Sequence, residues 1–264
     1  MGKTAMELGT VPPGLPYIRL GTGRPLLFLP GITGHHRLPE GMELTFQTRP
    51  LRPFAASREV WWVNRRAGLP ARVTMTEIAE DYADVIRSRL GAPVDVFGMS
   101  TGASVALALA VEHPELVRRL VVQGAYRLGD HGRRIQQEMA RELRAGRPRR
   151  AGAIESEAVA AGAVTGGLMR AMGWLTGRSM YGGERPDLLA VIDAEDAFDV
   201  GDRLREITAP TLVIGGARDR FYGADLFRET AERIPDGRLV LYPDHGHMVL
   251  GRRFTSDVLA FLDA

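Results

Sequence analysis

The chain contains no cysteine. That absence removes disulfides, a thiolate nucleophile and thiolate metal ligands from consideration, without fixing the compartment. Lysine is almost missing as well: Lys3 is the only one, and every other basic residue counted with it is an arginine. The pI near 9.2 therefore reflects the high pKa of the guanidinium group more than an excess of charge, since the net charge is only +2. Nucleic-acid binders concentrate a larger positive excess on one face, so no nucleic-acid partner is expected. Long apolar runs are also absent. The Ala/Gly-rich stretch at 158–175 is interrupted by Arg170 and by glycines, which leaves no candidate membrane span. Residues 1–16 lack the apolar run of a signal-peptide core, and Met6 stands where a myristoylation signal requires Ser or Thr. A cytoplasmic protein is expected on those grounds.

What is present is the composition of an ordinary folded protein, 45% hydrophobic and 25% charged over 264 residues. That length suits one domain of the larger α/β kind, with room for an inserted subdomain. Short apolar runs alternate with stretches of helical periodicity. Residues 17–20, 26–29, 59–64, 93–97, 117–122, 210–216 and 238–242 read as strands. Thr74 with Glu77 spells a capping box, after which Ile78, Tyr82, Val85, Ile86 and Leu90 recur at helical spacing until Gly91. Residues 226–234 and 254–262 read as further helices. The first 16 residues read as a polar lead, and 35–57, with Pro39, Pro50 and Pro53, as loop. Strands alternating with helices predict an α/β fold with a doubly wound, mostly parallel sheet.

Between 126 and 201 the pattern changes. Ile135, Met139 and Leu143 form a narrow apolar stripe on an otherwise charged helix that Gly146 and Pro148 end. Arg147, Arg149 and Arg150 read as a solvated face, and Leu168, Met169, Met172, Trp174 and Leu175 follow. A helical cap inserted at 126–201, between core segments 1–125 and 202–264, is the expectation. Its apolar side chains either line an acyl or aryl pocket or pack the cap onto the core.

Ser100 lies between Gly98 and Gly102, where the strand at 93–97 gives way to residues 101–113, apolar all round as a centrally buried helix is. A serine at such a turn sits at the carboxyl end of its strand, where ligands bind in open α/β sheets, with a helix amino terminus beneath it. Two later strands end in comparable loops, Gly215-Gly216-Ala217-Arg218-Asp219 and Pro243-Asp244-His245-Gly246-His247. Serine is a poor nucleophile at neutral pH and needs an imidazole to take its proton, and the imidazole needs a carboxylate to fix its tautomer. The histidines at 35, 36, 245 and 247 lack a spaced carboxylate pattern, so no metal site is expected.

With Gly98-Met99-Ser100-Thr101-Gly102 in a strand-to-helix context and Ser, Asp and His in this order, the chain resembles the α/β-hydrolase superfamily from residue 16 to its end. The resemblance implies Ser100 as nucleophile, Asp219 as orienting acid and His247 as base. His247 follows a glycine, as the family's base does, whereas His245 lies nearer the strand end. It also implies an oxyanion hole made by the backbone N–H groups of Thr101 and Ile32. Ile32 belongs to the loop Pro30-Gly31-Ile32-Thr33-Gly34, where Pro30 replaces the family's usual histidine. No cofactor belongs to such a site, and its partner is a small-molecule substrate. A serine in place of an aspartate nucleophile argues against dehalogenase and epoxide hydrolase chemistry. Cleavage of a carboxylic ester or thioester of small or medium size is expected. Carbon–carbon bond hydrolysis, cofactor-free perhydrolysis and a non-catalytic small-molecule-binding role are the alternatives on the same residues.

Overall fold

An eight-stranded sheet organises the computed structural model, which describes residues 6–264. Its strands are β1 (Met6–Val11), β2 (Leu15–Leu20), β3 (Arg24–Leu29), β4 (Arg58–Val63), β5 (Val94–Met99), β6 (Val117–Gln123), β7 (Thr211–Gly216) and β8 (Gly237–Tyr242). They lie in the spatial order β1-β2-β4-β3-β5-β6-β7-β8. The pairs β1–β2 and β2–β4 are antiparallel, and all later pairs are parallel. This is the doubly wound, mostly parallel α/β architecture that the alternation of elements predicts.

Nine α-helices accompany the sheet among the described residues: α1 (Gly41–Thr48), α2 (Met75–Val85), α3 (Thr101–Glu112), α4 (Asp130–Arg144), α5 (Pro148–Ala158), α6 (Ala163–Tyr181), α7 (Pro186–Asp196), α8 (Ala224–Arg233) and α9 (Arg252–Asp263). The pleat sends alternate side chains to opposite faces. Leu27, Leu29 and Val96 thus join the core under α2 and α3, while Leu26, Phe28 and Phe97 join a second core with Phe54 and Phe254. Covered on both sides, the central strands are continuous apolar runs. Every residue of α3 from Thr101 to Val111 is buried, which explains why its sequence shows no polar face. The capping box of α2 forms in full: Glu77 N–H donates to Thr74 Oγ1 at 3.1 Å, and Thr74 N–H to Glu77 Oε2 at 2.8 Å.

Three readings of the sequence need correction. The polar lead contains β1, an edge strand whose only buried side chain is Val11, so it lacks the apolar alternation that marks a strand. Met1 to Ala5, the front of that lead, lie outside the described residues. The stretch at 35–57 carries α1 and two short 3₁₀ turns at Arg49–Leu51 and Phe54–Ala56. Pro50 and Pro53 sit at the starts of those turns, where a missing N–H costs nothing.

The third correction concerns the four helices α4 to α7, which stand between β6 and β7. Ile135 and Met139 of α4 are buried, as their stripe predicts. By contrast, α6 presents glycines to α5. A Cβ on Gly173 would collide with the carbonyl of Gly152, and one on Gly152 would come within 2.6 Å of the Gly173 carbonyl. Most large apolar residues of α6 consequently face outward, with Val164 90% and Leu175 69% exposed, while Tyr181 at its end is buried. Leu168, Met172 and Trp174 are likewise exposed, so they are not packed onto the core. Trp174 and Leu175 rim a surface crevice of about 780 Å³ between α4, α5 and α6, and none of Ser100, Asp219 and His247 lines it. In the arginine knot, Arg147 pairs with Glu142 at 2.7 Å and Arg149 stacks on Trp174 at 4.4 Å.

Candidate active site

Strand β5 delivers Ser100 into a turn with φ 54° and ψ −125°, and Ser100 is the one described non-glycine residue with positive φ. Such a backbone costs about 1–3 kcal/mol and persists only where surroundings hold it. Here Ser100 N–H donates to the Gln123 carbonyl on β6 at 2.9 Å, and Ala103 N–H to the Ser100 carbonyl at 2.7 Å. The flanking glycines have a steric cause. A Cβ on Gly102 would collide with the Leu29 carbonyl of β3, and one on Gly98 with the Gly102 carbonyl and with Ala103.

Asp219 projects from the loop after β7. Its Oδ1 accepts the N–H groups of Phe221 at 2.7 Å and Tyr222 at 3.3 Å, which leaves Oδ2 for His247 Nδ1 at 2.9 Å. The opposite ring nitrogen, Nε2, lies 2.9 Å from Ser100 Oγ. Because the Asp219 carboxylate can only accept from Nδ1–H, the neutral ring presents its lone pair at Nε2 to the serine. Burial opposes the imidazolium. The charge of Asp219 and its hydrogen bond, with Glu195 and Glu155 adding to them, outweigh that effect and raise His247 above its usual value. Gln123 Nε2 donates to the His247 carbonyl at 3.1 Å, and the Phe221 ring packs 4.5 Å from the imidazole. His245, the competing candidate, is exposed and stacks edge-on with Tyr242.

The pairing of Leu29 with Gly98 places the next loop, Pro30 to Gly34, beside the serine. A Cβ on Gly31 would lie 3.1 Å from Ser100 Cβ. The Ile32 side chain packs against the cluster of Met139, Tyr181, Leu188 and Ile192. Thr101 occupies the first position of α3, where no preceding helical carbonyl exists. Among the described residues, no loop or turn hydrogen bond uses the N–H of Ile32 or of Thr101.

Several neighbours of Ser100, Asp219 and His247 escape a reading of the sequence. Glu195 of α7 is 1% exposed and accepts from Thr101 Oγ1 at 2.7 Å, Gln136 Nε2 at 2.8 Å, Ser104 Oγ at 3.2 Å and Tyr222 OH at 3.5 Å. It ties α4 and α7 to the amino terminus of α3, where a carboxylate is favoured. A signal existed: Glu195 falls on the helix face of Leu188, Val191 and Ile192, all buried. Burial, with Glu195 and Asp219 nearby, pushes the Tyr222 phenol well above its usual range. A second pair, Tyr181 donating to Glu155, has both groups pushed up by burial, and the phenol is raised further by its partner's charge. Arg65, two residues beyond β4, is 1% exposed and reaches the Pro30–Gly31 loop.

A family model described as alpha/beta hydrolase family matches residues 26–255. A Mycobacterium tuberculosis protein provisionally named non-heme bromoperoxidase BpoC is 29% identical over 245 residues, which are 89% of this chain and 90% of that one. The provisionally named carbamate hydrolase RutD of Caulobacter vibrioides is 27% identical over 202 residues, 74% of each chain. Among solved structures, the enol-lactonase of Burkholderia xenovorans shares the fold with a TM-score of 0.79 at 19% identity, over 98% of this chain and 100% of that one.

Proposed function

Because this chain belongs to the alpha/beta hydrolase family, we propose that it is a serine hydrolase cleaving a carboxylic ester or thioester of a small or medium-sized substrate. One observation carries the reading: a buried imidazole bridges Asp219 and Ser100 with 2.9 Å on either side. Ser100 Oγ attacks the carbonyl carbon as its proton passes to His247 Nε2. The carbonyl electron pair becomes an oxyanion held by the N–H groups of Thr101 and Ile32. Collapse breaks the bond to the leaving group, which takes the proton from the imidazolium. Water then repeats the sequence on the acyl-enzyme and frees the acid. Loss of one oxyanion donor typically costs about 10²–10³ in kcat, and loss of the nucleophile on the order of 10⁶.

In this reading residues 1–125 and 202–264 form the catalytic core, and α4 to α7 act as a cap over 126–201 that sets which acyl groups reach Ser100. Relatives whose names denote a carbamate hydrolase and an enol-lactonase support acyl transfer, because carbamates and lactones are attacked at the same kind of carbonyl. A fluorophosphonate probe tests the proposal. Intact mass should show one adduct on the folded protein and none on Ser100→Ala. No adduct, or an equal one on the variant, refutes the assignment. p-Nitrophenyl esters of graded chain length, run beside thioesters, lactones and carbamates, then place the substrate class.

A further inference from the structure

Arg65 is a cation with its whole side chain inside the protein. A guanidinium held there costs several kcal/mol unless its N–H groups find acceptors. All of its acceptors belong to one loop. Nη1 donates to the Pro30 carbonyl at 3.2 Å, and Nη2 to the Gly31 carbonyl at 2.6 Å and to Thr33 Oγ1 at 3.4 Å. Nε donates to His36 Nε2 at 3.4 Å. His36 Nδ1 in turn donates to the Arg66 carbonyl at 2.9 Å, which leaves Nε2 as the accepting lone pair. Burial and the Arg65 charge press His36 down to about 3, so it stays a neutral acceptor. Asn64 braces the same loop, donating to Thr33 Oγ1 and to the His35 carbonyl, each at 3.2 Å.

We propose that Arg65 is a positioning residue for hydrolysis, its guanidinium fork locking Pro30, Gly31 and Ile32 so that the Ile32 N–H faces the oxyanion. This rests on the serine-hydrolase reading. A trans peptide is planar, so the Gly31 carbonyl and the Ile32 N–H point in opposite directions. Arg65 takes the carbonyl and thereby turns the N–H away from itself, in a loop whose Gly31 abuts Ser100. Neither Pro30 nor Gly31 carries a polar side chain that could fix the turn from within, so the clamp comes from the segment that follows β4. The buried positive charge behind the loop also favours an oxyanion over a neutral carbonyl.

The test uses p-nitrophenyl butyrate and the full chain. Arg65→Lys keeps the charge and loses the fork, and Arg65→Gln loses the charge and the fork geometry. For both, kcat should fall roughly 10- to 100-fold at a KM within about twofold, with fluorophosphonate labelling slowed by the same factor. If folded Arg65→Lys and Arg65→Gln lose thermal stability but keep wild-type kcat per titrated site, Arg65 is merely structural and the proposal is overturned. If neither variant folds, the wild type decides: the Ile32 amide proton should move downfield when butylboronic acid forms its adduct on Ser100, and an unmoved resonance overturns the proposal. A wild type that neither hydrolyses the ester nor takes the fluorophosphonate overturns both readings. An active wild type with unimpaired Arg65 variants overturns this one alone.

Discussion

His247 is where two opposing effects meet, since burial disfavours its charged form and Asp219 favours it. The carboxylate wins, and the imidazole sits above its usual value. In the proposed mechanism His247 is the general base and works only when neutral, so kcat/KM should rise with pH through that raised pKa, placing the acid limb above about 6.5. Asp219→Asn removes the stabilising charge. Its acid limb should therefore move to lower pH while kcat falls by about 10⁴. A pH–rate profile of both proteins reads the two effects together, and an unmoved limb would take the orienting role away from Asp219. Ser100, Asp219 and His247 could be picked out because each follows a strand in a glycine-containing turn, and the structure brings them within hydrogen-bonding distance. Arg65 could not, because its key partners are the carbonyls of Pro30 and Gly31, and backbone atoms leave no mark in a sequence.

Helices with one buried face and one polar face, such as α2 and α9, were legible from spacing alone. The α6 helix was not, since it inverts the usual relation by turning glycine inward and leucine outward. β1 stayed hidden because an edge strand with one buried side chain carries no alternation. The inverted helix makes a testable contrast. Gly173→Leu forces a side chain into the space held by the Gly152 carbonyl and Ser156, and should destabilise the protein by about 2–3 kcal/mol or more. Leu168→Gln, on the outward face, should stay within about 0.5 kcal/mol. Urea denaturation compares them, and equal midpoints for Gly173→Leu and wild type would show that α5 and α6 are not in backbone contact.

Across the whole molecule, parallel strands from β3 to β8 gather their carboxyl-end loops on one edge of the sheet, which is how residues as far apart as Ser100 and His247 meet. The inserted helices were visible as a change of pattern, but their attachment to the core through Glu195 was not, because the partners Thr101 and Ser104 lie in a different element far along the chain. The three tryptophans divide along the same boundary. Trp61 and Trp62 are 7% and 1% exposed in β4, while Trp174 is 46% exposed on α6 beneath Arg149. Fluorescence should accordingly resolve into a blue-emitting part that acrylamide does not reach and a red-emitting part that it quenches, the latter vanishing in Trp174→Phe. A uniformly quenched spectrum would contradict this division. The protein thus carries an optical reporter on its inserted helices and an internal reference in its sheet, so that movement of one against the other can be followed without any added label.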